Sequence, residues 1–174
     1  GAILIIDGKI RFVFQGYFTS GKTAEQMARI ILKEDGFDEN FPLELFNANN
    51  LIVTPAFIDM HVHLRYPGQT QKEDLESGLK AAAAGGYGTV VAMPNTNPVV
   101  SSVEMAMQIE REAAALGLTQ LFQTVSLTKD FNGTDVSHLD FLDNKYIPVI
   151  SEDGRDVASS SVMLQAMKKA ADNN

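Results

Sequence analysis

Apolar and polar positions follow two different periods along this chain of 174 residues, and the change of period divides it. Ala2-Ile3-Leu4-Ile5-Ile6 reads as a strand, Asp7-Gly8 as a tight turn, and Lys9-Ile10-Arg11-Phe12-Val13-Phe14 as a second strand. Met27, Ile30 and Ile31 recur at helical spacing, which predicts a short helix over 23–34, broken by Asp35-Gly36. Residues 43–46 and 51–53 read as short strands around the Asn-rich turn 47–50. Residues 1–53 are therefore expected to form a small β-rich N-terminal segment.

From residue 54 onward, strand patterns alternate with helix patterns. Residues 57–64 form the first predicted strand. Thr70-Gln71-Lys72-Glu73 has the form of a capping box that would open a helix with Leu75, Leu79, Ala82 and Ala83 on one stripe, closed by Gly85-Gly86. Residues 89–93 form the second strand, too apolar to face water on either side. Ser101-Ser102-Val103-Glu104 opens a helix with Met105, Ile109, Ala113 and Leu116 inward, stopped at Gly117. A third strand over 120–127, a short helix over 136–144, a fourth strand over 146–151 and a helix over 159–171 follow. Val162, Met163, Ala166, Met167 and Ala170 share one face of that last helix, and Met105, Met163 and Met167 are expected to be core.

Four β-α units in succession predict an α/β fold with parallel strands and right-handed crossovers. An eight-stranded barrel and an open doubly wound sheet compete. Polar residues fall at the C-terminal ends of the strands: His61 and His63, then Asn95, then Glu152 and Asp153. A barrel collects its site there. An open sheet uses one switch point, usually with a Gly-rich loop after the first strand, whereas Gly85-Gly86-Tyr87-Gly88 follows a helix. The expected fold is the first half of a (β/α)8 TIM-type barrel over 54–174, behind the segment 1–53. Because four units are half a barrel, the sequence reads as part of a longer protein, truncated after its fourth unit, or as a half that needs a partner.

Composition narrows the function. A formal net charge of -8 and a pI near 4.8 argue against nucleic-acid or anionic-membrane partners. Without Cys, disulfides and thiolate metal sites are excluded, leaving His, Asp and Glu as ligands. No apolar run approaches the ~20 residues needed to span a bilayer, and no basic stretch precedes the apolar start as in a signal peptide. The expected location is cytoplasmic.

The chemistry concentrates in Phe57-Ile58-Asp59-Met60-His61-Val62-His63-Leu64-Arg65. Strand alternation puts His61 and His63 on one face with Asp59 behind them, and Ile58, Met60, Val62 and Leu64 on the other. Two neutral imidazoles so placed suit a zinc ion; they equally suit a strand end satisfied by hydrogen bonds. Asp153 ends the fourth strand and is a second ligand candidate, although Asp153-Gly154 also suits a plain turn. Glu152 and Asp153 cannot both point inward, and Glu152 has a solvated reading. Arg65 and Asn95 suit substrate binding, against a surface ion pair for the first and loop chemistry for the second. Tyr66 would line the pocket or pack, and His138 is expected to be a solvated surface residue.

These residues together resemble the dihydroorotases, in the cyclic amidohydrolase branch of the amidohydrolase superfamily. The matching text is Pro55-Ala56-Phe57-Ile58-Asp59-Met60-His61-Val62-His63-Leu64-Arg65, then Pro67-Gly68-Gln69-Thr70, Ala84-Gly85-Gly86, Met93-Pro94-Asn95-Thr96-Asn97-Pro98, Leu127-Thr128-Lys129, Glu152-Asp153-Gly154 and Ser160-Ser161-Val162-Met163. The similarity covers residues 51–171. Allantoinases and hydantoinases share the His-x-His strand but generally not the Met-Pro-Asn-Thr-Asn-Pro run.

The resemblance implies a zinc centre, two ions per complete site, with His61 and His63 on the more buried ion and Asp153 bridging. It implies that Arg65 and Asn95 hold the substrate carboxylate. The reaction implied is the reversible hydrolysis of dihydroorotate to N-carbamoyl-L-aspartate in pyrimidine synthesis, in a homodimer or beside other enzymes of that pathway. The family's general acid/base and two further His ligands would lie beyond residue 174, so the chain alone is expected to be inactive and at best partly loaded with zinc. Tyr66 stands where the family usually has Asp or Glu, and Glu152 where Asp is usual. The competing readings are another cyclic amidohydrolase and a non-catalytic half-barrel that binds partners.

Overall fold

The computed structural model describes residues 1–15, 22–157 and 159–173. The chain divides into two compact units, Gly1–Val53 and Thr54–Asn174.

In the first unit, β1 (Ala2–Ile6) and β2 (Lys9–Phe14) form an antiparallel hairpin. Its turn is made by Asp7 and Gly8, both at positive φ, the geometry that suits a right-twisted two-residue hairpin loop. Helix α1 (Ala24–Glu34) opens on a capping box between Thr23 and Gln26. Leu4, Phe14 and Ala28 are buried together, with Met27, Ile31 and Leu43 packed against them. The strands expected at 43–46 and 51–53 do not form. Strand propensity is realised only against a pairing partner, and among the described residues the sheet of this unit has two strands. Phe46 and Ile52 instead stand 83% and 93% exposed.

The second unit is a mixed α/β structure of parallel strands and helices. β3 (Phe57–Val62) leads through α2 (Leu75–Ala84) to β4 (Tyr87–Ala92), and through α3 (Val103–Ala115) to β5 (Gln120–Gln123). The three strands lie parallel in that order. The expected third strand is split at Thr124, whose N–H and hydroxyl both donate to the Ala92 carbonyl, at 3.0 and 2.7 Å. β6 (Val125–Ser126) continues beyond the break and pairs in parallel with β7 (Ile150–Ser151). Helix α4 (Ser160–Asp172) closes the series on a Ser159 cap.

Several expected elements are shorter than their patterns. α2 begins at Leu75, capped by Asp74 and boxed with Ser77; Thr70 lies in the preceding turn, and Glu73 hydrogen-bonds the Ser77 hydroxyl instead of closing a box on Thr70. The helix expected over 136–144 is a single 3-10 turn, Ser137–Phe141. The fourth strand keeps only its last two residues. Pro148 has no N–H to give a ladder, and the Tyr146 and Ile147 amides turn back to the Asp143 carbonyl.

The core of this unit lies between helices and sheet, around Leu79, Val90, Val100, Ala106, Val125, Leu139 and Ala166. On α4 only one edge of the expected stripe is buried. Val162 and Ala166, one turn apart, face inward, whereas Met163 and Met167 are exposed and are not core. No helix among the described residues is long and apolar enough to cross a membrane.

Candidate metal centre

Strand β3 positions the first two donors. His61 is its penultimate residue and His63 follows its end, and their shared parity sends both rings the same way, 5.2 Å apart between centroids. Asp59, one pleat earlier, accepts the His61 backbone N–H at 3.0 Å and does not join the donors. Asp153 comes from the turn after β7, where Gly154 takes φ +76 and Arg155 N–H closes on the Glu152 carbonyl. The turn reading and the ligand reading of Asp153-Gly154 thus describe one feature: the turn delivers the carboxylate.

The three side chains converge. His61 Nε2 lies 3.2 Å from Asp153 Oδ1, and His63 Nε2 lies 3.5 Å from Asp153 Oδ2. One donor atom from each falls within 4.8 Å of the others. Four ligands at ~2.0–2.1 Å around a tetrahedral zinc stand ~3.3–3.4 Å from one another, so the spacing and the nitrogen–oxygen donor set fit one such ion. No Lys or Arg among the described residues pairs with Asp153.

Asn95, in the loop after β4, joins two of these donors. Its Nδ2 donates to Asp153 Oδ2 at 2.6 Å, and its Oδ1 lies 3.0 Å from His63 Nδ1. Arg65 is half-buried, holds φ +57, and its guanidinium has no hydrogen-bond or ion-pair partner among the described residues. A cation so placed, two residues beyond His63, is available to an anionic group.

The loops that carry these residues pack on one another. Asn97 N–H donates to the Pro67 carbonyl at 3.1 Å, and Gln69 Nε2 reaches the Asn95 carbonyl at 3.4 Å. Gly68 has φ +83, and a Cβ there would overlap the Asn97 carbonyl oxygen, so only glycine allows this approach.

Two residues, Glu152 and His138, differ from their sequence readings, and Tyr66 takes the packed one of its two. Glu152 is not solvated: it is buried, accepts the Thr128 N–H at 2.8 Å and the Thr128 hydroxyl, and so ties the end of β7 to the segment after β6. His138 is not a free surface residue either. Its Nε2 bonds the Ser126 carbonyl at 2.8 Å, and its Nδ1 is buried without a partner among the described residues. Tyr66 packs and turns away from the donors; its hydroxyl donates to Glu112 Oε2 on α3 at 2.5 Å. That bond holds the Glu112 carboxyl below the usual carboxylate range and raises the Tyr66 hydroxyl above the usual phenol range. The opposite parity of Glu152 and Asp153 was the only advance sign of the buried tie. Nothing in residue type or spacing signalled that Asn95 bridges His63 and Asp153.

Known proteins carry the same stretch. The family model described as dihydro-orotase-like matches residues 50–174. A dihydroorotase of Clostridium botulinum (strain Eklund 17B / Type B) is 45% identical over 133 residues, covering 76% of this chain and 33% of that protein. A dihydroorotase of Aquifex aeolicus is 41% identical over 128 residues, covering 74% and 30%. One of Clostridium acetobutylicum is 37% identical over 156 residues, covering 90% and 36%. The chain spans about a third of the length of the curated relatives it matches.

Proposed function

This chain belongs to the dihydro-orotase-like family, and from that membership we propose that it forms the metal-binding wall of a dihydroorotase. The protein that carries it would hydrolyse the cyclic amide of dihydroorotate to N-carbamoyl-L-aspartate, and reverse that step in pyrimidine synthesis. The observation that carries this reading is the convergence of His61, His63 and Asp153, drawn from the ends of two different strands of a parallel series. Its fold would be the first half of a (β/α)8 barrel, a reading supported by the parallel pairing of β3 with β4, β4 with β5 and β6 with β7.

His61, His63 and Asp153 would hold the metal, which we take to be zinc. When bound, it supplies a Lewis acid and a nucleophile at neutral pH. The residues of this chain do the rest. Asp153 offers two oxygens, one toward each imidazole, which also suits a bridging carboxylate. The Arg65 guanidinium would orient the substrate carboxylate through a two-pronged contact, with the Asn95 amide adding a donor.

Hydrolysis by the protein that carries this chain, measured on dihydroorotate, allantoin and hydantoin in parallel, tests the reading. A kcat/KM highest on dihydroorotate is expected. A preference for either other ring would replace the substrate while leaving the metal site, and no turnover on any ring would favour a partner-binding role.

A further inference from the structure

We infer that Asn95 is a positioning residue for the metal ligands, setting the tautomer of His63 and bracing Asp153 through the two ends of one carboxamide. The inference rests on the reading of His61, His63 and Asp153 as a metal site.

A carboxylate accepts and does not donate, so the group of Asn95 lying 2.6 Å from Asp153 Oδ2 must be its NH₂. That fixes the amide orientation, and its oxygen therefore faces His63 Nδ1 at 3.0 Å. A carboxamide oxygen only accepts, so His63 Nδ1 must carry the hydrogen. In the neutral ring Nε2 is then left with its lone pair, aimed at Asp153 Oδ2 from 3.5 Å. Two acceptors facing each other repel unless a cation lies between them. Asn95 thus presents His63 as a ligand and aims the carboxylate that would share the same ion, in the manner of outer groups that orient metal-bound imidazoles.

The position of Asn95 is itself secured. Its carbonyl accepts from Gln69 Nε2, and Asn97 N–H holds the loop against the Pro67 carbonyl. Its side chain therefore belongs to a packed corner between the loops after β3 and β4. The family resemblance assigns Asn95 to the substrate carboxylate; each polar end of the amide is engaged once by the donors, and its second hydrogen leaves room for that contact as well.

Long-range proton–nitrogen NMR of the metal-free 174-residue chain, at a pH where imidazoles are neutral, reads the His63 tautomer directly. Wild type is expected to show hydrogen on Nδ1. Asn95→Leu removes both bonds and is expected to move the hydrogen to Nε2 and to weaken zinc binding by about 10-fold or more. Asn95→Asp keeps the acceptor toward His63 and loses the donor toward Asp153, so it is expected to keep the Nδ1 hydrogen while releasing Asp153, which separates the two halves of the positioning role. Hydrogen on Nε2 in wild type, or Asn95→Leu with unchanged tautomer and zinc affinity, overturns the inference. If Asn95 sets the tautomer but wild type binds no zinc, the positioning role stands and the metal reading fails.

Discussion

Asn95 Nδ2 stands 2.6 Å from Asp153 Oδ2 across 58 residues of sequence. That contact joins the loop after the second strand of the parallel series to the turn after the last. With His63 on the other end of the same amide, it makes one connected polar unit from three strand ends.

Gly68 is predicted to support that unit from outside. At φ +83, with the Asn97 carbonyl in the space of a side chain, Gly68→Ala must strain the backbone and push the two loops apart. A destabilisation of about 1–3 kcal/mol is expected in denaturant unfolding, together with weaker zinc binding. Weaker metal binding with unchanged stability would mean the loop is less tightly packed than its contacts indicate.

Glu152 is predicted to act on stability and not on chemistry. It is the acceptor for both the N–H and the hydroxyl of the fully buried Thr128. Glu152→Ala leaves a buried amide unsatisfied and should cost about 1–3 kcal/mol. Glu152→Gln keeps an acceptor and should cost less. Equal losses in the two variants would show that the charge, and not the hydrogen bond, matters there.

The Tyr66–Glu112 bond carries a pH signature. Glu112 titrates below its ordinary value because it accepts from Tyr66, so its contribution is present above the ordinary carboxylate range and lost as pH falls through the depressed value. Tyr66 titrates above its ordinary value for the same reason, so its contribution is full below the ordinary phenol range and lost as pH rises through the raised value. Tyr66→Phe should therefore lower stability by about 0.5–1 kcal/mol near neutral pH, a figure reduced for solvent exposure. The gap between the two proteins should narrow in acid. A gap that persists unchanged in acid would assign the effect to packing.

Arg65 is predicted to act on substrate alone. In the protein that carries this chain, Arg65→Gln should raise the KM for dihydroorotate by about 10-fold or more while leaving zinc content unchanged. Loss of zinc in that variant would move Arg65 from substrate binding to the integrity of the site.

Much of this was legible in the residues, for physical reasons that differ by element. The hairpin turn, α1, α3 and the Gly85-Gly86 stop follow from local chemistry, and the sequence contains that chemistry. The side-by-side imidazoles follow from strand parity. Residues 43–46 and 51–53 look like strands because their side chains favour pairing, but the partner is a tertiary fact. The shortening of β7 was signalled by Pro148 and the break at Thr124 was not, since it depends on the Ala92 carbonyl of another strand. Asp153 could be picked out by residue type at a strand end. The bridge through Asn95 could not, because spacing along the chain gives no distance between loops.

His61, His63 and Asp153 are proposed to bind one ion together. Zinc titration of the 174-residue chain, beside His61→Ala, His63→Ala and Asp153→Asn, tests this most directly. One zinc per wild-type chain is expected, with a loss of affinity exceeding about 100-fold in each variant, beyond what changes outside the ligand set produce. Zinc bound equally well by wild type and by all three variants would contradict it.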